Sequence, residues 1–447
     1  MKKGMFFALA ASSLLFSACS SDDAVVSTVG QNEAVQQIVL QVASSGDGLT
    51  TRAGRPLYSS QALQTIQNVR VVIYNADTKE IVKDATQDWT KSTTYNNHGH
   101  GRQFTLTFKG NDRLEKGNYK VMAVGYSNES DYEYSLNATS AVGLTYDDIT
   151  ATLKAGKKEA EEVFAGDADL KIGDDKKITN LTSGEENGVA VTLHRQVAGS
   201  FGYFQNIPAS VNGKAAATLR LVVRDKNDVL TFNNFNSSFT ANGATGSTIK
   251  YYVNGSKSTS AATADAKFNN NENGYVLYSI DLSKWFTEGD KNKDGLLNAE
   301  DTWTHPTSVK TQVVKGSVFG SNFVIPFNYA EGKSTMELQL LDAENNIIKT
   351  WTVSIPKDDV NTDTANGVTD ASTSIFNVVR NHMYNLGVKT SNGTTDPDPS
   401  NPTPDPDPDK PKPEPGTDQP EDLSKSQNLI LKVNDNWEAI HKMELGD

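Results

Sequence analysis

Apolar and polar residues alternate with a period of two along most of this chain, a pattern that predicts strands. The first such run is VQQIVLQVA at 35–43, followed by IQNVRVVIYN (66–75), FTLTFKG (104–110) and GNYKVMAVGY (117–126). VAVTLHRQVAGSFGYF (189–204), ATLRLVVRDKNDVLTF (217–232), YVLYSIDL (275–282) and SNFVIPFNY (321–329) continue the series. MELQLLDAENNIIKTWTVSI (336–355) reads as a hairpin, two β-rich runs around an Ala-Glu-Asn-Asn turn. Gly, Asn, Asp and Pro punctuate these runs, which argues for sandwiches and against βαβ units. Helical periodicity is weak, and 140–163 is its best candidate. The expected fold is all-β, with a break between two sandwiches at the turn-rich segment 184–188.

The two ends depart from this rhythm. Lys2 and Lys3 precede an apolar stretch from Met5 to Phe16, too short to span a bilayer. Phe16-Ser17-Ala18-Cys19 then places small residues before a cysteine, a lipobox in which Cys19 is lipidated and becomes the first residue. Near the other end, 396–420 (DPDPSNPTPDPDPDKPKPEPGTDQP) is a proline-rich spacer that favours polyproline II and removes backbone donors. Beyond it lies NLILKVNDNWEAIHKMEL (428–445), apolar again but too short to make a core alone. Such a piece needs a partner. The expected organisation is a signal peptide at 1–19, a propeptide at 20–52 with a removable strand at 35–43, sandwiches at 53–186 and 187–394, a linker at 395–421 and a donor strand at 422–447.

The two end strands look interchangeable. QIVLQVA (37–43) and NLILKVN (428–434) share one alternation. Ile38, Leu40 and Val42 fall on one face of the first; Leu429, Leu431 and Val433 fall on one face of the second. The first strand is followed by SSGDGLTTRAG, a small and polar segment in which Arg52 is accessible to proteases. Cleavage between Arg52 and Ala53 would release the first strand, and the second strand of a neighbouring molecule would take its groove by β-augmentation.

Composition narrows the functions. Lys+Arg is 42 and Asp+Glu 55, a net charge of −13, which disfavours nucleic acid and anionic membrane surfaces as partners. Membrane contact is expected only through the lipid of the precursor. Cys19 is the single cysteine, so no intrachain disulfide is available. No nucleophile elbow, phosphate loop or zinc-protease motif is present, and the chain is not expected to be an enzyme. The sharpest local motif is DKNKDGLLNAED (290–301), which fits D-x-N-x-D-G-x-x-N-x-x-D. Hard Ca²⁺ takes six to eight oxygens. Asp290, Asn292, Asp294, the Leu296 carbonyl, Asn298 and Asp301 would supply them, with Gly295 allowing the turn. His98 and His100 lack a full ligand set. Trp89, Trp285, Trp303, Trp351 and Trp437 are read as core residues before sugar platforms.

Taken in order, FSAC, the Arg-Ala junction of TTRAG, VTLHRQVAG, RNHMYNLGV (380–388), the DPDPDP linker and the terminal strand with Trp437 resemble a Bacteroidetes fimbrillin, a type V pilin. That resemblance implies two tandem transthyretin-like β-sandwich domains and removal of residues up to Arg52 by an Arg-specific surface protease. It also implies other copies of the chain and related pilin subunits as partners. The implied location is the outer-membrane surface for the lipoprotein precursor and extracellular fimbriae for the mature form. The alternative expectation is a surface-exposed lipoprotein that binds glycan or serves as a pilus anchor or tip.

Overall fold

A computed structural model describes residues 34–44 and 66–95, most of 101–354 (the longest gap being 233–253), and parts of 378–388 and 419–434. The architecture is all-β. In chain order the strands are β1 (Val35–Ser44), β2 (Asn68–Asn75), β3 (Ile81–Asp88), β4 (Thr93–Tyr95), β5 (Gly101–Lys109), β6 (Gly117–Tyr126), β7 (Tyr132–Tyr134), β8 (Thr150–Leu153), β9 (Phe164–Ile172) and β10 (Gly188–Arg195). Then follow β11 (Ala198–Gln205), β12 (Ile207–Pro208), β13 (Ser210–Val211), β14 (Lys214–Ala215), β15 (Thr218–Val223), β16 (Val229–Thr231), β17 (Gly255–Ser256), β18 (Ala266–Phe268), β19 (Glu272–Asp281) and β20 (Leu296–Leu297). The last seven are β21 (Ser317–Val324), β22 (Met336–Leu341), β23 (Ile347–Ser354), β24 (Met383–Leu386), β25 (Glu421–Asp422), β26 (Asn428–Ile430) and β27 (Lys432–Asn434).

The first half builds a sheet ordered β3-β2-β6-β9-β10-β1-β5-β4. β9 and β10 share only two residue pairs, His194 with Ala165 and Arg195 with Phe164. About that narrow joint the sheet folds over, and its two halves face one another. Val69, Val71, Ile73, Val121 and Ala123 of one half pack with Ile38, Leu40, Phe104, Leu106, Val189 and Val191 of the other. The alternation read from the sequence is the cause, since one side of each strand is apolar. β2 and β6 are apolar on both sides. Val72, Tyr74, Met122 and Val124 look outward from that core into a second one, shared with Tyr132, Tyr134, Ala151, Leu153, Leu230, Phe232 and Ile325.

A second sandwich combines β21-β11-β24-β27 with β18-β19-β15-β22-β23-β26. The 336–355 hairpin is present, with Met336 opposite Val353 and Leu338 opposite Trp351. Trp351 is fully buried in this core, which also contains Phe201, Tyr203, Phe204, Leu219, Leu221 and Tyr384.

Two sequence expectations differ from the structure. No helix forms over the described part of 140–163. Thr150–Leu153 is a strand instead, pairing with both β7 and β16, and its inward Ala151 and Leu153 show the period-two pattern of a strand. The first sheet also runs on through β10, so the change of sheet comes at Gln196–Val197, after the 184–188 turn. A buried polar knot marks that crossing. Gln196 donates to the Ala165 carbonyl at 3.2 Å, and its own side-chain oxygen accepts from Arg380 and Asn254, each at 3.1 Å. An unpaired buried polar atom costs about 1–3 kcal/mol, a cost the Gln196 side chain avoids by bonding through both its nitrogen and its oxygen.

Candidate functional site

β1 is the only described strand ahead of Arg52, and it lies inside a sheet, not at its rim. Along one side it runs antiparallel to β5, from Val35 opposite Lys109 to Val42 opposite Arg102. Along the other it runs parallel to β10, from Val39 beside Gly188 to Ser44 beside Leu193. The Val39 amide donates to the Asn187 carbonyl at 2.9 Å, and the Gly110 amide to the Ala34 carbonyl at 3.2 Å. Ile38, opposite Leu106, and Leu40, opposite Phe104, are both fully buried. Val35 is 51% exposed, and Gln37 on the outer face is exposed too. Ile38 and Leu40 thus lie on the inner face; Val42 is placed by its backbone pairing alone.

Gln36, two residues before Ile38 on the same inner face, carries no apolar signal yet is only 5% exposed. Its side-chain oxygen accepts from the Leu114 amide at 2.7 Å. Its side-chain nitrogen donates to the Lys176 carbonyl at 2.7 Å and the Leu114 carbonyl at 3.3 Å. Lys176 has φ +61° in the tight turn after β9, and its ammonium pairs with Glu115. Gln36 therefore sits between two loops that an ion pair already holds together.

The described parts of the C-terminal segment, 419–425, 428–430 and 432–434, lie against the second sandwich of their own chain. Val388 and Gln419 exchange backbone hydrogen bonds at 2.7 and 2.8 Å, and β25 then pairs parallel with β11. Leu423 is fully buried. β26 adds to the edge of one sheet, with Leu429 beside Val353 and completely buried; β27 adds to the edge of the other, with Val433 opposite Tyr384. Asp422 fastens the start of this segment. Burial alone would raise its carboxyl, but bonds from Ser424, Lys425 and Asn206 overcome that and hold it down at about 2. Cys19, Arg52, Ala53, Leu431, Trp437, His98 and His100 lie outside the described residues, as does nearly all of the linker.

The 290–301 loop closes on itself through its acidic side chains. Asp290 accepts from the amides of Asp294 and Gly295 at 3.2 and 2.9 Å. Asn292 accepts from the Asp294 amide, Asp294 from the Leu296 amide and Asn298 from the Glu300 amide, at 2.8–3.0 Å. Asp301, 5% exposed, accepts from the amides of Lys291 and Asn298 at 2.9 and 3.0 Å. The Leu296 amide and the Asn298 side chain pull the Asp294 carboxyl below its ordinary value. Gly295 has φ +87°, a conformation glycine adopts without penalty. Its carbonyl accepts from Ala209, and Leu297 plugs into the second core, so the loop is rooted in that sandwich. Among the described residues, no three His, Cys, Asp or Glu side chains converge as a metal-holding group. Trp89, Trp285 and Trp351 are buried as core residues, while Trp303 is half-buried and donates to the Ser317 carbonyl at 2.7 Å.

No protein-family model and no curated protein sequence matches the chain. Solved structures do. A cell adhesion protein from Parabacteroides distasonis is 11% identical at a TM-score of 0.37, over 89% of this chain and 96% of that one. A C-terminally truncated tip fimbrial protein from Porphyromonas gingivalis is 10% identical at 0.36, over 79% and 94%. The fimbrial anchor protein of the same organism is 11% identical at 0.34, over 79% and 90%. The solved structures similar to this chain thus include fimbrial and adhesion proteins.

Proposed function

We propose that this chain is a structural fimbrial subunit that polymerises on the cell surface by protease-triggered donor-strand exchange and so supports adhesion. The observation that carries the reading is the place of β1. A strand that precedes Arg52 fills the middle of the first sandwich, held along both edges with Gln36, Ile38 and Leu40 buried. Cutting after Arg52 frees that strand from the chain. Its loss opens a groove lined by Phe104, Leu106, Val189 and Val191, with unpaired backbone on β5 and β10. An apolar groove with two open edges is a template for another strand.

The two sandwiches are read as the tandem transthyretin-like domains of a fimbrillin. Cys19 carries the lipid, including palmitate, that holds the precursor at the outer membrane. An Arg-specific protease acts at Arg52, and Ala53 becomes the new N-terminus. Leu429, Leu431 and Val433, with Trp437 beyond them, form the donor segment, whose strands β26 and β27 lie on their own second sandwich until a neighbour's groove opens. The 290–301 loop takes a structural Ca²⁺, with oxygens turning from its own amides to the ion.

The test is an SDS-resistant ladder from protein cleaved after Arg52. Leu431→Asp removes the ladder and Lys432→Glu, on the opposite face, keeps it; Arg52→Ala leaves uncut monomer. Fibres of normal length from Arg52→Ala overturn the trigger. Equal behaviour of the two 431 and 432 variants overturns the facing. A ladder from a chain ending at Pro420 overturns donation altogether.

A further inference from the structure

We infer that Gln427 sets the register of the joint between subunits, by entering the pocket that Gln36 occupies in the precursor. The inference rests on the donor-strand reading above. Aligned on their inner faces, residues 36–42 read Gln-Gln-Ile-Val-Leu-Gln-Val and residues 427–433 read Gln-Asn-Leu-Ile-Leu-Lys-Val. Each of the seven positions is identical or close in kind. The glutamines fall at the position where the first sandwich offers a polar pocket: the Leu114 amide and carbonyl and the Lys176 carbonyl, bridged by the Glu115–Lys176 ion pair.

Apolar side chains cannot fix this register by themselves. A slip of one residue turns every side chain to the other face and is excluded. A slip of two keeps the facing. It places Leu429 where Leu431 belongs or Leu431 where Leu429 belongs, and an aliphatic groove scarcely distinguishes them. The polar pocket does distinguish them. Slipped one way, Leu429 meets the Leu114 amide and leaves it buried without an acceptor. Slipped the other way, Gln427 enters the apolar site of Ile38 with nothing to bond. Either error leaves a buried polar group unsatisfied. One buried amide side chain set among aliphatic ones specifies register in other assemblies for the same reason.

Cysteine cross-linking reads the register directly. Cys19, the chain's one cysteine, lies ahead of the cut, so introduced thiols are the only ones in fibres. Gln37 and Thr107 are opposite one another and both exposed, and Asn428 takes the place of Gln37. In fibres of the full chain cleaved after Arg52, Thr107→Cys is paired in turn with Ser426→Cys, Asn428→Cys or Ile430→Cys. With Gln427 present, the intermolecular disulfide forms at 428. With Gln427→Ala, its share relative to 426 and 430 falls about tenfold, the ratio expected when one buried amide loses its acceptor. A disulfide that stays at 428 in Gln427→Ala overturns the register role and leaves donor-strand exchange standing. No intermolecular disulfide at any of the three positions in the parent chain overturns both. Gln36→Ala separates pocket from joint: it lowers the melting temperature of the precursor and leaves the cleaved fibre unchanged.

Discussion

Leu40→Ala should weaken the precursor and leave the fibre untouched. In the precursor Leu40 is fully buried, opposite Phe104 across one edge of β1 and beside Val189 across the other. Truncating a core leucine removes its transfer free energy and leaves a cavity, together about 2–5 kcal/mol. The site is enclosed by strands on both sides, which limits relaxation and favours the upper part of that range. A domain of this size has about 5–15 kcal/mol in all, so the variant gives up a large share of it. Gln41→Ala, on the half-buried outer side of the same strand, gives up only a hydrogen bond to Gln103 and should cost about 1 kcal/mol or less. Hydrogen exchange of the β5 and β10 amides measures the opening free energy of this sandwich locally, apart from the second one. The expected result is protection in the uncut chain lowered by the full amount in Leu40→Ala and much less in Gln41→Ala. After cleavage at Arg52 and assembly, residue 40 is absent from the fibre and the two variants should be indistinguishable. Fibres of Leu40→Ala that remain as weak as the precursor would refute the reasoning, because β1 would then still occupy the groove.

Two further perturbations probe the second sandwich. If the 290–301 loop binds Ca²⁺, the ion stabilises the folded form by mass action; chelator should lower the melting temperature, and Asp290→Ala with Asp294→Ala should abolish the difference. Equal melting with calcium and with chelator counts against the site. Acid should release the C-terminal segment: the Asp422 carboxyl lies at about 2, against an ordinary 3.8. A depressed carboxyl contributes stability that is complete above its unfolded value and is lost as pH falls through the folded one. Proteolytic release of residues 419–434 should therefore rise between pH 4 and 2 in the parent chain and show no such step in Asp422→Asn; the same step in both would rule Asp422 out as the fastener.

The strands were legible in the sequence because one-sided burial writes a period of two into them. Ile38 and Leu40 face inward as that period requires, and the 336–355 hairpin stands where its turn residues put it. What periodicity does not carry is which strands become neighbours. β16, from the second half of the chain, pairs with β8 of the first and carries β17 on its other edge, a partnership no local run announces. The change of sheet at Gln196 leaves no mark in the sequence because β10 and β11 read as one apolar run, VAVTLHRQVAGSFGYF, in which Arg195 and Gln196 are in fact buried. Gln36 was hidden for a related reason. A glutamine at the head of an amphipathic strand looks like solvent-facing trim, and its pocket is made from loops about 80 and 140 residues away in sequence.

The flanking of β1 also decides how its groove responds to load. A strand paired on one edge and pulled across its length peels away one bond at a time. A strand paired on both edges with β5 and β10 and pulled lengthwise must shear its ladders together, dragging Ile38 and Leu40 past their pockets at the same instant. Any strand that took this groove would inherit that geometry, and a filament joined as proposed above would resist axial tension with its backbone bonds acting in concert.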